Sequence, residues 1–222
     1  MSPATSALPT YRERLAELAA AELSGGWLAA CEEAGRFLAP CRELVTALAD
    51  VLHSLSAEPL LEVCAGDGEL AREFTVQGLR VVATDASRSP AVAVQRLTAG
   101  EALRRYRPSV VLGSFVPFDA GVDEAVLAFP SVAHYVVLGA RLCGLLGSRA
   151  LWQTPGWKAD PIESVNRWML TRHDVWLGLP DQPILRHGEA WLVKRNSFRS
   201  LFPSSAVAAE RNEFRFTMED NP

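Results

Sequence analysis

The chain has 222 residues, 49% of them hydrophobic and 22% charged, which is the size and mixture of one globular domain with a substantial core. Its formal net charge of −4 gives no overall basic signal, so no nucleic-acid partner is expected. No apolar run approaches the roughly 20 residues that span a bilayer, and the first residues lack the basic start and apolar stretch of a signal peptide, so no membrane association and a cytoplasmic location are expected.

Taken in chain order, residues 10–24 place Leu15, Leu18, Ala19 and Leu23 at helical spacing, with Gly25-Gly26 ending the run. A second helical region covers Trp27 to Leu55, with a kink or break at Pro40. Cys31 and Cys41 stand ten residues apart in it, too far along one straight helix to be bridged. With Cys64 and Cys143 they form no Cys-x-x-Cys pair, and no His pair has zinc-ligand spacing, so reduced packing cysteines and no metal are expected.

After this helical quarter the texture changes. Residues 59–65 form an apolar run entering Gly66-Asp67-Gly68, as a buried parallel strand entering a tight turn would. Helices are expected over 67–77, 101–106, 119–127 and 161–169, and strands over 81–84, 91–97, 109–113 and 134–138. Two late strands, 171–177 and 189–194, are expected to flank the turn-rich segment 178–183 as a long hairpin. This alternation implies an α/β fold: a doubly wound, mostly parallel seven-stranded sheet with helices on both faces and an N-terminal helical extension. The expected units are an extension or lid over 1–56, a main domain over 57–200 and a tail over 201–222.

The turn Glu62-Val-Cys64-Ala-Gly66-Asp67-Gly68-Glu-Leu70 carries the functional argument. Open α/β sheets bind ligands at the carboxyl ends of their strands, where glycines admit a ligand to the backbone and a helix N-terminus offers free N–H groups. The next strand delivers Asp85, a carboxylate able to accept both hydroxyls of a ribose. Gly66-x-Gly68-x-x-Ala71 also satisfies the dinucleotide pattern. Glu62 separates the two readings, because a carboxylate inside the strand end makes sense beside a cation such as the ammonium of S-adenosylmethionine (SAM), and not beside a pyrophosphate.

Glu62 to Leu70 resembles the first motif of class I SAM-dependent methyltransferases, (D/E)-x-G-x-G-x-G, departing from it at Cys64, which takes the first glycine slot ahead of Ala65. Residues 81–85 resemble that family's acidic second motif and 110–114 its fourth-strand motif. The resemblance implies a SAM-binding methyltransferase with a cofactor site of Glu62, Cys64, Gly66, Asp67, Gly68, Asp85, Ser114 and Phe115. Ser114 to Asp119 would line the passage to the acceptor, without the leading Asn or Asp of nucleobase amino-methyltransferases. Tyr11, Trp27, Phe118, Trp152 and Trp157 are the expected acceptor contacts, and Ser114 and His173 the only candidates for acid–base work. The expected acceptor is a small molecule or short peptide. Two other readings remain at this point: a methyltransferase-like SAM binder without turnover, and an NAD(P)-dependent oxidoreductase.

Overall fold

The computed structural model describes residues 8–24, 26–55, 59–86, 93–141 and 143–196. Leu60-Leu-Glu-Val63 is buried along its whole length and forms β1 (Leu60–Val63). It is followed by β2 (Val81–Asp85), β3 (Val94–Arg96), β4 (Val110–Ser114), β5 (His134–Ala140) and β6 (Trp157–Pro161). Then come β7 (Val175–Trp176), β8 (Ile184–Leu185) and β9 (Gly188–Arg195). Seven strands form one sheet in the order β3-β2-β1-β4-β5-β9-β6, and β7 and β8 pair separately. The first five are parallel, and β9 runs antiparallel to both β5 and β6. The order reverses at β1 and β4, so their carboxyl ends open a crevice between them.

The helices are α1 (Tyr11–Ser24), α2 (Trp27–Glu33), α3 (Arg42–Ser54), α4 (Glu69–Val76), α5 (Ala99–Tyr106), α6 (Val122–Ala128), α7 (Arg149–Gln153) and α8 (Glu163–Asn166). Strand alternation divides the core into two layers. Leu60, Leu112 and Leu138 pack with Leu44, Leu48 and Leu52 of α3 and Phe74 of α4. Leu61, Val111 and Val137 pack with Leu103 of α5, Val126 of α6 and Leu151 of α7. The three α3 leucines are 0% exposed and spaced by four, so one stripe faces the sheet. Removing one, as in Leu48→Ala, would cost about 2–5 kcal/mol.

The seven-stranded sheet agrees with the sequence reading, but four elements differ from it. The second helical region is broken over eight residues, 34–41, and not at a point kink. Its second half, α3, is a layer of the main domain, while α1 and α2 form a separate small core with Leu170 and Ile184. The third strand is confined to Val94–Arg96, with positions 91 and 92 outside the described residues. The expected strand at 171–177 shortens to β7, because Asp174 turns the chain there by accepting from the Thr171 N–H and hydroxyl. The antiparallel partner of β9 is instead β6, which the sequence reading divided between an aromatic loop and the start of a helix. Asp160, a residue poor in strand propensity, is held there by Lys158 at 2.8 Å and Lys194 at 2.9 Å. The expected divisions at 56/57 and 200/201, the tail and Gly25 lie outside the described residues.

Candidate functional site

A cavity of about 710 Å³ opens at the carboxyl edge of β1, β2 and β4. That volume lies within the roughly 300–1,000 Å³ common for small-molecule sites. Its walls are the β1–α4 turn, the end of β2, the start of α5, the loop from Ser114 to Val122, and the strap 34–40 that joins α2 to α3. Glu62, Cys64, Gly66, Asp67, Asp85, Ser114 and Phe115 all line it. Gly68 stands behind them, where φ +75 and Val94 Cγ2 only 2.6 Å from any added Cβ exclude a side chain. Gly66 at φ +57 has nothing within 4 Å of an added Cβ, so its backbone is bare toward the cavity.

The turn is fixed from below and from the side. Ala65 N–H donates to the Thr84 carbonyl at 3.0 Å, and Gly66 N–H donates to Asp85 Oδ2 at 2.9 Å. The Asp85 carboxylate therefore ties the end of β2 to the turn while bordering the cavity. Asp67 Oδ1 accepts from Glu69 N–H at 3.0 Å and so satisfies one free donor at the start of α4. Cys64 takes φ +55, a left-handed conformation that glycine adopts freely. The slot where the motif departs from glycine thus keeps the glycine conformation. Burial pushes the Cys64 thiol up to about 11, with Asp85, Asp123 and Glu62 adding to the effect.

Glu62 is 1% exposed, and its Oε2 has no hydrogen-bond partner among the described residues. Burial pushes its carboxyl up to about 8, Asp67 adding to the shift and Arg72 opposing it. A buried polar atom without a partner is uncommon and calls for a ligand or a strained role. Glu62, Asp67, Glu69 and Asp85 line the cavity with one guanidinium, Arg36, among the described residues, while Arg72 pairs with Asp67 at 3.8 Å from outside the lining. This field favours a cation and opposes a pyrophosphate.

Phe115 closes the far wall. It takes φ +53, is 7% exposed, and donates its N–H to the Leu138 carbonyl at 2.8 Å. Its ring meets Phe37 of the strap at 5.7 Å, and the Arg172 guanidinium caps the other ring at 3.8 Å. The strap is stitched to the segment after α8: Arg172 N–H donates to the Phe37 carbonyl at 3.0 Å and Ala39 N–H to that of Leu170 at 2.8 Å. The Ser114 hydroxyl lines the cavity, whereas His173 lies outside the lining, its Nε2 accepting from Arg172 Nε at 3.2 Å. Burial, reinforced by Arg172, lowers the His173 pKa.

The aromatic set expected for the acceptor is not brought to the cavity. Tyr11 packs edge-on against Trp168 at 5.4 Å and its hydroxyl meets Arg186. Trp27 is 3% exposed and donates from Nε1 to the Thr171 carbonyl at 2.8 Å. Trp152 stacks edge-on with Trp191 at 5.1 Å, and Trp157 lies under Arg195 at 4.4 Å, both on the β6–β9 side of the sheet. Phe118 is 62% exposed and follows Pro117, which does line the cavity. Packing of the N-terminal helices claimed Tyr11 and Trp27 because each offers a large apolar area to bury. Sequence reasoning missed the strap, above all Arg36, Phe37 and Leu38. Its signal was Gly35 followed by Pro40, two helix-ending residues within six.

No known sequence family and no curated protein matches this chain. Solved structures do share its architecture. The 23S rRNA methyltransferase ErmE is 15% identical over 72% of this chain and 70% of its own, with a TM-score of 0.43. The 1,6-didemethyltoxoflavin-N1-methyltransferase of Burkholderia thailandensis is 11% identical over 87% and 94%, with a TM-score of 0.46. A putative RNA methyltransferase, PH1948 from Pyrococcus horikoshii, is 14% identical over 84% and 98%, with a TM-score of 0.45. The likeness is a distant one of fold, with every one of these TM-scores below 0.5. One expectation is corrected by these findings. Net charge was read as excluding a nucleic-acid partner, yet rRNA and RNA methyltransferases are among the similar folds. A whole-chain charge averages over the local surface a partner meets, so it does not separate acceptor classes. No helix among the described residues is long and apolar enough to cross a membrane.

Proposed function

We propose that the chain binds SAM in the cavity at the carboxyl edge of the sheet and transfers its methyl group to an acceptor. The observation that carries this reading is Glu62, a fully buried carboxylate with an unpartnered oxygen in a cavity ringed by further carboxylates. An ammonium supplies the missing partner, and a sulfonium adds a second positive charge that the same field favours. Asp85 is the proposed ribose acceptor, the bare backbone at Gly66 the point of close approach, and Ser114 with Phe115 the wall beside the reacting centre. The NAD(P) reading is disfavoured by the same charges, which would repel a pyrophosphate.

SAM carries an already activated methyl group, so the protein's task is orientation and exclusion of water. Phe37, Leu38, Phe115 and Pro117 add apolar wall to the cavity. A small molecule or short peptide with an apolar face is the acceptor proposed, and methylation of RNA alone would overturn that choice.

Calorimetry with S-adenosylhomocysteine (SAH) and NADH tests the cofactor reading. SAH should bind and NADH should not. Because Glu62 holds a proton up to about pH 8, docking of an ammonium should release that proton at neutral pH, and SAH affinity should rise from pH 6.5 to 8. Glu62→Gln should abolish the proton release and weaken SAH. Binding of NADH in preference to SAH, or a pH-independent affinity, would overturn the reading.

A further inference from the structure

Arg36 is the one cationic side chain among the described residues that line the cavity. It is half-buried, and its guanidinium makes no hydrogen bond or ion pair with another described residue. Its charge reaches Glu69, whose carboxyl is raised by burial and by Asp67, a rise that Arg36 opposes. The backbone around it is held in place. Arg36 N–H donates to the Cys31 carbonyl at 2.8 Å, and the next residue, Phe37, is anchored through Arg172. The strap thus ties down the backbone of Arg36 and presents a guanidinium unpaired among the described residues to a cavity otherwise lined by acidic side chains.

Glu62 and Arg36 are an acid, ionised once an ammonium docks on it, and a cation in the same cavity, each without a partner among the described residues for at least part of its hydrogen-bonding capacity. A ligand that satisfies both must itself carry both signs, as the amino-acid end of an adenosyl amino acid does. We infer that Arg36 binds the α-carboxylate of the cofactor, so that Glu62 and Arg36 together read the two charges of its amino-acid end. This rests on the SAM reading above and extends it to the strap, a segment outside the glycine turn. A guanidinium suits the role because its planar fork meets a carboxylate with two parallel hydrogen bonds. The consequence is specificity: the site distinguishes SAM from adenosyl compounds that lack the carboxylate.

The test compares three ligands by calorimetry on the full chain: SAM, decarboxylated SAM and 5′-methylthioadenosine. Arg36→Ala should weaken SAM about ten- to a hundredfold while leaving the other two within about twofold. Arg36→Lys should recover part of the loss, as a point charge without the fork. Thermal melting confirms that each variant folds, and Arg36→Gln, which keeps most of the side-chain length, serves if the alanine variant does not. Equal weakening of all three ligands would mean that Arg36 only shapes the strap and would overturn the inference. So would unchanged SAM affinity in a folded variant. If the wild-type chain binds none of the three, the SAM reading itself falls; if it binds them and the Arg36 variants discriminate among them as the wild type does, that reading stands without this inference.

Discussion

Cys64 holds a left-handed backbone at a cost of about 1–2 kcal/mol relative to an unstrained residue. Glycine would remove that strain, but it would lose the packing of the thiol and add about 0.5–1 kcal/mol of backbone entropy. Cys64→Gly should therefore fold with nearly unchanged stability and bind SAH within a few-fold, measured by urea titration and calorimetry. Loss of binding in the folded variant would count against the motif alignment. The thiol itself, pushed up to about 11, should react with iodoacetamide at pH 8 about tenfold or more slowly than free cysteine. Rapid alkylation would contradict the buried, carboxylate-lined setting. Asp85 is a harder case, because its Oδ2 already accepts from Gly66 N–H. Asp85→Asn should weaken SAH at least tenfold, through loss of the charged acceptor and loosening of the turn together, with the melting temperature changing little. Unchanged SAH affinity would remove Asp85 from the site. Glu62, Gly66 and Asp85 were legible as a group because a strand–turn–helix fixes their spacing within one short stretch. Arg36 was not, since a lone arginine after a helix carries no local signal of what lies across the fold from it.

At the level of elements, the apolar runs of β1, β2, β4 and β5 were legible because a strand buried on both faces must be continuously apolar. β6 was not, since its Lys158 and Asp160 are tolerated only at the outer edge of the sheet, a position that sequence does not reveal. The N-terminal helices were expected to cover the site with Tyr11 and Trp27, and the geometry shifts that role to the strap between α2 and α3. Trp27, Cys31 and Leu18 already lie in a small core against Leu170, so α1 and α2 have little left to order on binding. The strap has backbone ties on one side only and its other side borders the cavity. Hydrogen exchange should therefore show SAH-dependent protection concentrated in residues 34–40, with α1 and α2 changing little. Protection that rises over residues 10–30 and not over the strap would restore the helices as the moving cover.

For the whole molecule, the buried carboxylate couples the cofactor site to global stability. Glu62 keeps its proton in the folded chain up to about pH 8 but loses it near 4.5 when unfolded. Between those values the folded state holds more protons, so stability falls as pH rises. Two histidines act in the opposite sense at the acid end. Burial lowers the pKa of His134, helped by Lys194, and that of His173, helped by Arg172, so both add stability as pH rises toward 6.5 and nothing beyond it. The exposed carboxylates Glu13, Glu101 and Asp160, lowered chiefly by hydrogen bonds to Thr10, Thr98 and Lys158, contribute only above the ordinary carboxylate range and are complete well before neutrality. Burial also raises the carboxyls of Glu69 and Asp174, which act in the same sense as Glu62, so the comparison with Glu62→Gln assigns the slope from pH 6.5 to 8. Across that window the ligand-free protein should lose up to about 1.4 kcal/mol per pH unit in urea titrations, and Glu62→Gln should flatten that slope. Saturating SAH should also flatten it, by supplying the ammonium that the ionised carboxylate lacks. A wild-type slope that survives in Glu62→Gln would assign the pH dependence to another group and detach the stability of the fold from its proposed cofactor site.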